Sequence, residues 1–270
     1  MSNMLLQDIY IYPIKSLGGI RLPKANLEER GLQWDRRWML VDGKGDFLTQ
    51  RVHPSMALLQ VELRADGLLV FHKQDPTKRI NIPFTPQSEA TRPVTVWDDT
   101  VLGQEVSKEV DAWFSEILGM PCGLVWMPPS TERKIDAKYA VNNESVGFAD
   151  AMPYLLIGQS SLDDLNARLQ SPVPMDRFRP NLVFSGGPAY IDDTWDKVKI
   201  GDALFKITKP CARCVLTTVD QATGQKGKEP LRTLATYRTV GSKVLFGQNM
   251  LLLEGAGIEV GAAVEGIPFI

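Results

Sequence analysis

Residues 56–71 read MALLQVELRADGLLVF: two apolar runs, Met56 to Leu63 and Leu68 to Phe71, separated by Ala65-Asp66-Gly67. An Asp-Gly pair supplies positive φ at little cost, so the stretch predicts a tight β-hairpin rather than a helix. The same pattern recurs on either side. Trp38-Met39-Leu40-Val41 runs into Asp42-Gly43-Lys44-Gly45 and returns as Phe47-Leu48-Thr49, while Val94 to Trp97 turns at Asp98-Asp99 into Val101-Leu102. Upstream, Leu5 to Ile14 alternates as a strand and stops at Pro13-Ile14-Lys15-Ser16. Short strands and turns therefore fill the first ~130 residues.

Three helices interrupt the strands. In the first, Ser107 is the expected cap and Val110, Trp113, Phe114, Ile117 and Leu118 share one face, ended by Gly119 and Pro121. In the second, Ser160 or Ser161 is the expected cap, with Asp163 and Asp164 in the first turn and Leu162, Leu165 and Leu169 inward. The third is expected from Glu229-Pro230, with Leu231 and Leu234 buried. Further strands are expected at Tyr154 to Ile157, Asn181 to Phe184, Ala203 to Thr208, Cys214 to Val219, Met250 to Leu253 and Ile258 to Val264. Helices do not alternate regularly with strands, which excludes a doubly wound sheet and predicts a mainly β (α+β), barrel-like protein. The Pro- and charge-rich stretch Met127 to Lys138 is the expected boundary, dividing the chain into 1–128 and 129–270.

A net charge of -2 gives the chain no global attraction for nucleic acid or anionic lipid, so an anion site must be a local cluster of bases. No signal peptide or spanning segment is legible, and three cysteines do not make a disulfide framework; a cytoplasmic protein, neither membrane-bound nor nucleic-acid-bound, is expected. Only two histidines, His53 and His72, are present, which weighs against a catalytic triad or a His-rich metal cage. An enzyme of this composition would lean on a bound cofactor.

The sharpest local feature is the run Lys209-Pro210-Cys211-Ala212-Arg213-Cys214 leading into Val215-Leu216-Thr217-Thr218-Val219-Asp220. Four readings are open. A zinc site would need four ligands, with only Cys122 and two distant histidines to complete it. A redox dithiol would sit between a strand and a helix start. A single thiolate for a soft transition metal needs one cysteine at a strand entrance. Two small buried hydrophobes need nothing further. Basic residues also fall at strand ends: Lys15-Ser16, Arg36-Arg37, and Arg177-Phe178-Arg179-Pro180-Asn181. Arginine suits bidentate phosphate or planar heterocycle recognition, and lysine serves as a point charge, although a strand-end cation can equally be plain solvated surface.

Five ordered motifs carry a resemblance. Tyr12-Pro13-Ile14-Lys15-Ser16, Asp35-Arg36-Arg37-Trp38-Met39-Leu40-Val41, Phe178-Arg179-Pro180-Asn181-Leu182-Val183, Cys211 to Asp220, and Phe246-Gly247-Gln248-Asn249 together resemble proteins with a MOSC N-terminal β-barrel domain followed by a MOSC domain. The resemblance spans nearly the whole chain and is strongest to the amidoxime-reducing components and bacterial reductases of N-hydroxylated compounds. It implies a molybdenum–molybdopterin cofactor, with Cys214 as metal ligand and catalytic thiolate. It further implies that Lys15, Ser16, Arg36, Arg179 and Asn181 hold the molybdopterin phosphate and pterin ring. A serine of some relatives is Ala212 here, so that contact is lost.

The implied activity is reduction of a small N-hydroxylated substrate. Some bacterial relatives carry an iron–sulfur domain with its own cysteine set; these 270 residues hold no four-cysteine set for such a cluster, and electrons are expected from a separate ferredoxin, flavoprotein or cytochrome. The alternative implied by other MOSC proteins is a carrier of cofactor or activated sulfur, with a persulfide on Cys214. Pyridoxal phosphate, used by another domain of the sulfurases, has no recognisable lysine site. Cys122 is expected to pack, Cys211 to pack more than to stand beside the metal as a supporting neighbour, Asp220 to serve a turn more than as a proton donor, the six tryptophans to fill core and rim, and Phe246 to Asn249 to line a mouth or serve backbone geometry.

Overall fold

A computed structural model describes residues 4–269. The hairpin that opens the reading forms: Leu59–Leu63 pairs antiparallel with Gly67–His72, which pairs in turn with Asp75–Pro83. Two details differ. Pro54–Leu58 is a 3-10 turn, because Pro at its start presets φ and donates no ladder bond. Gly67 does not adopt positive φ; a Cβ there would meet the Ile82 carbonyl oxygen at 2.2 Å, so glycine is required for close approach of a neighbouring strand. A second small sheet runs Trp38–Val41, Gly123–Trp126, Asp99–Glu105, Thr91–Val96, all antiparallel. Phe47 returns only as an isolated bridge to Val41.

The dominant sheet has nine strands. Its path is Val264–Pro268, Trp195–Ile200, Ala203–Arg213, Lys243–Glu254, Tyr154–Gly158, Leu182–Ser185, Leu5–Ile11, Ile20–Leu22, with Thr239–Val240 beside Lys243–Glu254. Only Tyr154–Gly158 and Leu182–Ser185 run parallel, and α2 (Gln159–Arg168) supplies the crossover that a parallel pair needs. The first strand ends at Ile11, short of the expected Ile14, and lies far in sequence from its partner, Leu182–Ser185. Leu5 also bridges Ala263, so the sheet curls until its first and last strands meet, giving the barrel-like form. Inside it, Leu6, Ile9, Ile11, Tyr154, Leu156, Phe184 and Phe205 form one apolar cluster.

Helix α1 (Lys108–Leu118) forms as expected. The Ser107 hydroxyl accepts from the Val110 N–H, Val110 and Phe114 are buried, and Gly119 closes it at φ 67°. Helix α2 starts earlier than expected, after Gly158, with no side-chain cap. Ser160 instead donates to the Gly187 carbonyl, and Ser161 accepts from the Tyr190 N–H, so both hydroxyls tie the helix to the following loop. Helix α3 is only Leu231–Ala235, with Leu234 buried and Leu231 half-buried.

Two strands are corrected. Cys214 to Val219 is no strand: Val215–Thr218 makes a 3-10 turn, and the strand before it extends to Arg213. Thr217 and Thr218 donate their hydroxyls to the Cys214 and Val215 carbonyls, offering the backbone an alternative to the ladder. Ile258 to Val264 splits into Gly257–Glu259 and Val264–Pro268 around the turn at Gly261, φ 91°. Among the described residues, no helix is long and apolar enough to cross a membrane.

Candidate active site

The end of the strand Leu5–Ile11, the loop carrying Arg36, residues 149–152, the segment before Leu182–Ser185 and the end of Ala203–Arg213 meet around one cavity of about 540 Å³. Lys15, Ser16, Arg36, Arg179, Asn181 and Cys214 all contribute to its wall. Residues separated by some two hundred positions thus converge where the barrel-like sheet opens. Seven lysines and arginines and a single carboxylate, Asp150, line the cavity, in a chain whose net charge is -2. Such local excess of positive charge, in a concave site, is built for an anion.

Three of the six residues hold unusual backbone. Ser16, Arg36 and Arg179 have φ of 67°, 49° and 54°, a left-handed region that costs a non-glycine residue roughly 1–2 kcal/mol. That strain is sustained by surrounding bonds. The Arg36 N–H donates to the Tyr12 carbonyl, and the Arg36 carbonyl accepts from Phe148. Its guanidinium donates to buried Asp35 (2.6 Å), to the Asn181 side-chain oxygen (3.2 Å) and to the Arg179 carbonyl (3.2 Å). Asn181 also donates its amide to the Tyr10 carbonyl, so its polar atoms are spent on protein and it acts by orienting Arg36.

Arg179 is the contrasting case. It is 7% exposed, stacks over the Tyr12 ring at 4.1 Å, and makes no ion pair among the described residues. Burial, with the Arg36 charge acting in the same direction, lowers its pKa to about 10. Lys15 is 4% exposed and donates to the Phe148 carbonyl (2.7 Å) and to Asp150 (2.6 Å). Burial lowers its pKa to about 8, with Asp150 limiting the fall. Against the cost of its own enclosure, Asp150 is held well below the usual carboxylate range by Lys15 and Arg51.

The thiol pair resolves into unequal partners. Cys214 is exposed to the cavity and opens the 3-10 turn, at the exit of a strand rather than at the expected entrance. Arg51 donates its Nε to the Cys214 sulfur at 3.3 Å and a terminal nitrogen to Asp150. Cys211 is half-buried and shares the cavity wall, which fits the second of its two expected roles, a neighbour of the site, better than the favoured packed thiol. Among the described residues, no three His, Cys, Asp or Glu side chains gather as a metal set; Cys122 and the two histidines are not brought to Cys211 and Cys214.

Arg51 and Asp150 were not legible in sequence. Neither belongs to a motif, and the partners that place them at the site, Lys15, Cys214 and each other, lie about a hundred residues or more away in the chain. Asp220 lies outside the cavity wall and caps its own turn, accepting from the Ala222 and Thr223 N–H groups and the Thr223 hydroxyl. Against partial burial, those bonds lower its pKa, the opposite of what a proton donor needs. Gly247 sits at φ 79°, where a Cβ would meet the Leu156 carbonyl oxygen at 2.7 Å; backbone geometry explains it, while Asn249 lines the cavity. Cys122 packs beside Ser115, away from the site, and Trp38 and Trp195 are core.

The chain matches two family models: MOSC N-terminal beta barrel domain over residues 3–121 and MOSC domain over residues 143–265. It is 35% identical to mouse mitochondrial amidoxime-reducing component 1, over 95% of this chain and 80% of that one. The human protein of the same name is 32% identical, over 95% and 81%. A rice molybdenum cofactor sulfurase is 34% identical over 92% of this chain, which spans only 32% of that longer protein.

Proposed function

This chain belongs to the MOSC family that includes the mitochondrial amidoxime-reducing components, and on that premise we propose that it is a molybdenum-cofactor oxidoreductase that reduces N-hydroxylated compounds with electrons from a separate redox protein. The observation that carries the reading is the pairing of one exposed thiol with an excess of enclosed cations on a single cavity wall. A soft sulfur donor suits molybdenum, and fixed cations suit an anionic pterin phosphate.

The residues fit such a group. Arg179 is an enclosed guanidinium facing the cavity with no ion-pair partner among the described residues, and an anionic ligand would supply one. Lys15 and Arg179 would neutralise the phosphate, Arg36 would be presented to it by Asp35 and Asn181, and Ser16 would add a hydroxyl. Cys214 would be the metal ligand, with Arg51 aiming its sulfur and Asp150 accepting from both Arg51 and Lys15. The bound cofactor would supply the two-electron redox chemistry at the substrate N–O bond that no side chain here offers. The half of the chain up to residue 128 brings Lys15, Ser16, Arg36 and Arg51, and residues 129–270 bring the rest.

The test is metal and pterin content in protein made in a host with an intact cofactor pathway, followed by reduction of a model hydroxylamine with reduced methyl viologen. About one molybdenum and one pterin per chain, with turnover, is expected. Absence of both from folded protein would refute the reading. The similarity to a cofactor sulfurase over 92% of this chain favours a second reading, a carrier of cofactor or activated sulfur. Cofactor bound without turnover, together with a persulfide on Cys214, would select it.

A further inference from the structure

The cavity wall holds more positive charge than the cofactor reading uses. Lys15, Arg36, Arg51 and Arg179 are enclosed and engaged with protein groups, whereas Lys209 is half-buried and Lys243 is exposed. Lys209 and Asn249 are register partners on the neighbouring strands Ala203–Arg213 and Lys243–Glu254, so their side chains leave the same face of the sheet, and both line the cavity. The Lys209 ammonium lies 4.1 Å from the centre of the Tyr139 ring, which also lines the cavity. Asp136, an acid that feels the Lys209 charge, is paired with Lys138 at 2.8 Å. The one carboxylate on the wall, Asp150, already accepts from Lys15 and Arg51. This part of the wall therefore combines two ammonium groups without an ion pair among the described residues, an amide, and half-buried Tyr139, Leu155 and Leu245. It leaves no acid to receive a cation.

Resting on the reductase reading, we propose that the substrates are aryl N-hydroxy compounds carrying an anionic group remote from the N–O bond, and that Lys209 and Lys243 select them over cationic analogues. Tyr139, Leu155 and Leu245 offer the ring an apolar seat, and the two lysines meet its charged substituent. A carboxylate placed there gains two opposite charges, while an ammonium meets two like charges and finds the only wall carboxylate taken. Specificity is a ratio of kcat/KM values, so repulsion of the wrong substrate counts as much as attraction of the right one. For an aryl hydroxamic acid the reaction is ArC(O)NHOH + 2e⁻ + 2H⁺ giving ArC(O)NH₂ + H₂O. The N–O bond breaks, the oxygen leaves as water, the nitrogen is reduced, and two viologen radical cations in the assay are each oxidised by one electron. The remote carboxylate takes no part in the chemistry and serves only to hold the substrate.

The experiment measures viologen-driven reduction of a matched series by cofactor-loaded protein: 4-carboxybenzohydroxamic acid, benzohydroxamic acid and 4-(aminomethyl)benzohydroxamic acid. In the wild type kcat/KM should fall in that order, with the carboxylate favoured over the ammonium roughly tenfold or more at low salt and by less at high salt. The Lys209→Met, Lys243→Met double variant keeps both side-chain stems and should bring the three values close together. The ratio is taken within each protein, so a general loss of folding or loading does not imitate the result. A wild type that treats the carboxylate and ammonium compounds alike, or prefers the ammonium, overturns the proposal, as does a double variant that keeps the wild-type ratio. Calorimetric titration with the product amides, 4-carboxybenzamide and 4-(aminomethyl)benzamide, reads the same preference without turnover. If none of the series is reduced, the reductase reading fails, and the amide titration still decides whether the two lysines select an anion.

Discussion

Replacing Arg179 with Met should make the cofactor-free protein more stable and the ligand-bound protein less so. Methionine keeps an unbranched stem against Tyr12 and keeps the left-handed backbone strain of a non-glycine residue, so the change removes the charge and little else. Burial of that charge is reflected in the fall of its pKa from the ordinary guanidinium range to about 10. At about 1.4 kcal/mol for each pH unit, this corresponds to a cost of about 3 kcal/mol, an upper bound for what methionine relieves. Because the folded-state pKa lies below the unfolded one, the cost is fully present below pH about 10 and is relieved only as pH rises toward the ordinary guanidinium range. At pH 7 it is therefore constant. For a chain of this size, each kcal/mol moves Tm by roughly 2–4 °C, so a rise of several degrees is measurable by calorimetry. Inorganic phosphate, standing in for the anionic cofactor, should raise the wild-type Tm and move the variant less, since binding to the folded state stabilises it by mass action. A variant destabilised equally with and without phosphate would show that Arg179 is a structural residue and that the cavity is not tuned to an anion.

Three further outcomes can be checked. Cys214→Ala should fold and lose hydroxylamine reduction while Cys211→Ala keeps a substantial part of it, because only the first sulfur is exposed and contacted by Arg51; the opposite pattern would put the metal on the other cysteine, and equal loss would indicate a dithiol. Lys15 in the folded protein titrates near pH 8, below its unfolded value of 10.5, so cofactor-free protein should gain stability from Lys15 across that window; in Asp150→Asn the gain should begin at lower pH, and an unchanged Tm–pH curve would contradict the pairing. Gly247→Ala should cost roughly 1–3 kcal/mol in urea unfolding, from positive φ and a Cβ placed against the Leu156 carbonyl.

Local chemistry made the hairpins and α1 legible. A turn residue between apolar runs acts over four residues, and Ser107, the apolar face of α1 and Gly119 act within one helix. Legibility failed where a local signal had a stronger tertiary competitor. Ser160 and Ser161 look like caps but bond to the loop beyond the helix, and β-branched Val215 and Thr217 look like strand while the threonine hydroxyls fold the backbone into a turn. Asp66-Gly67 predicted the right hairpin for a partly wrong reason, since closeness to Ile82 requires the glycine.

By itself, the sequence determined the β-rich class and the ordered motifs that carry the family resemblance, and through that resemblance the six residues that line the cavity. Only the tertiary structure decided that Arg51 touches the Cys214 sulfur, that Asp150 stands between Lys15 and Arg51, that Asn181 serves Arg36, and that the Trp97 indole donates to Asp150. These are pairings between loops far apart in the chain. No periodicity or spacing encodes them, because the curl of the nine-stranded sheet, and not adjacency in sequence, sets the distance between those loops.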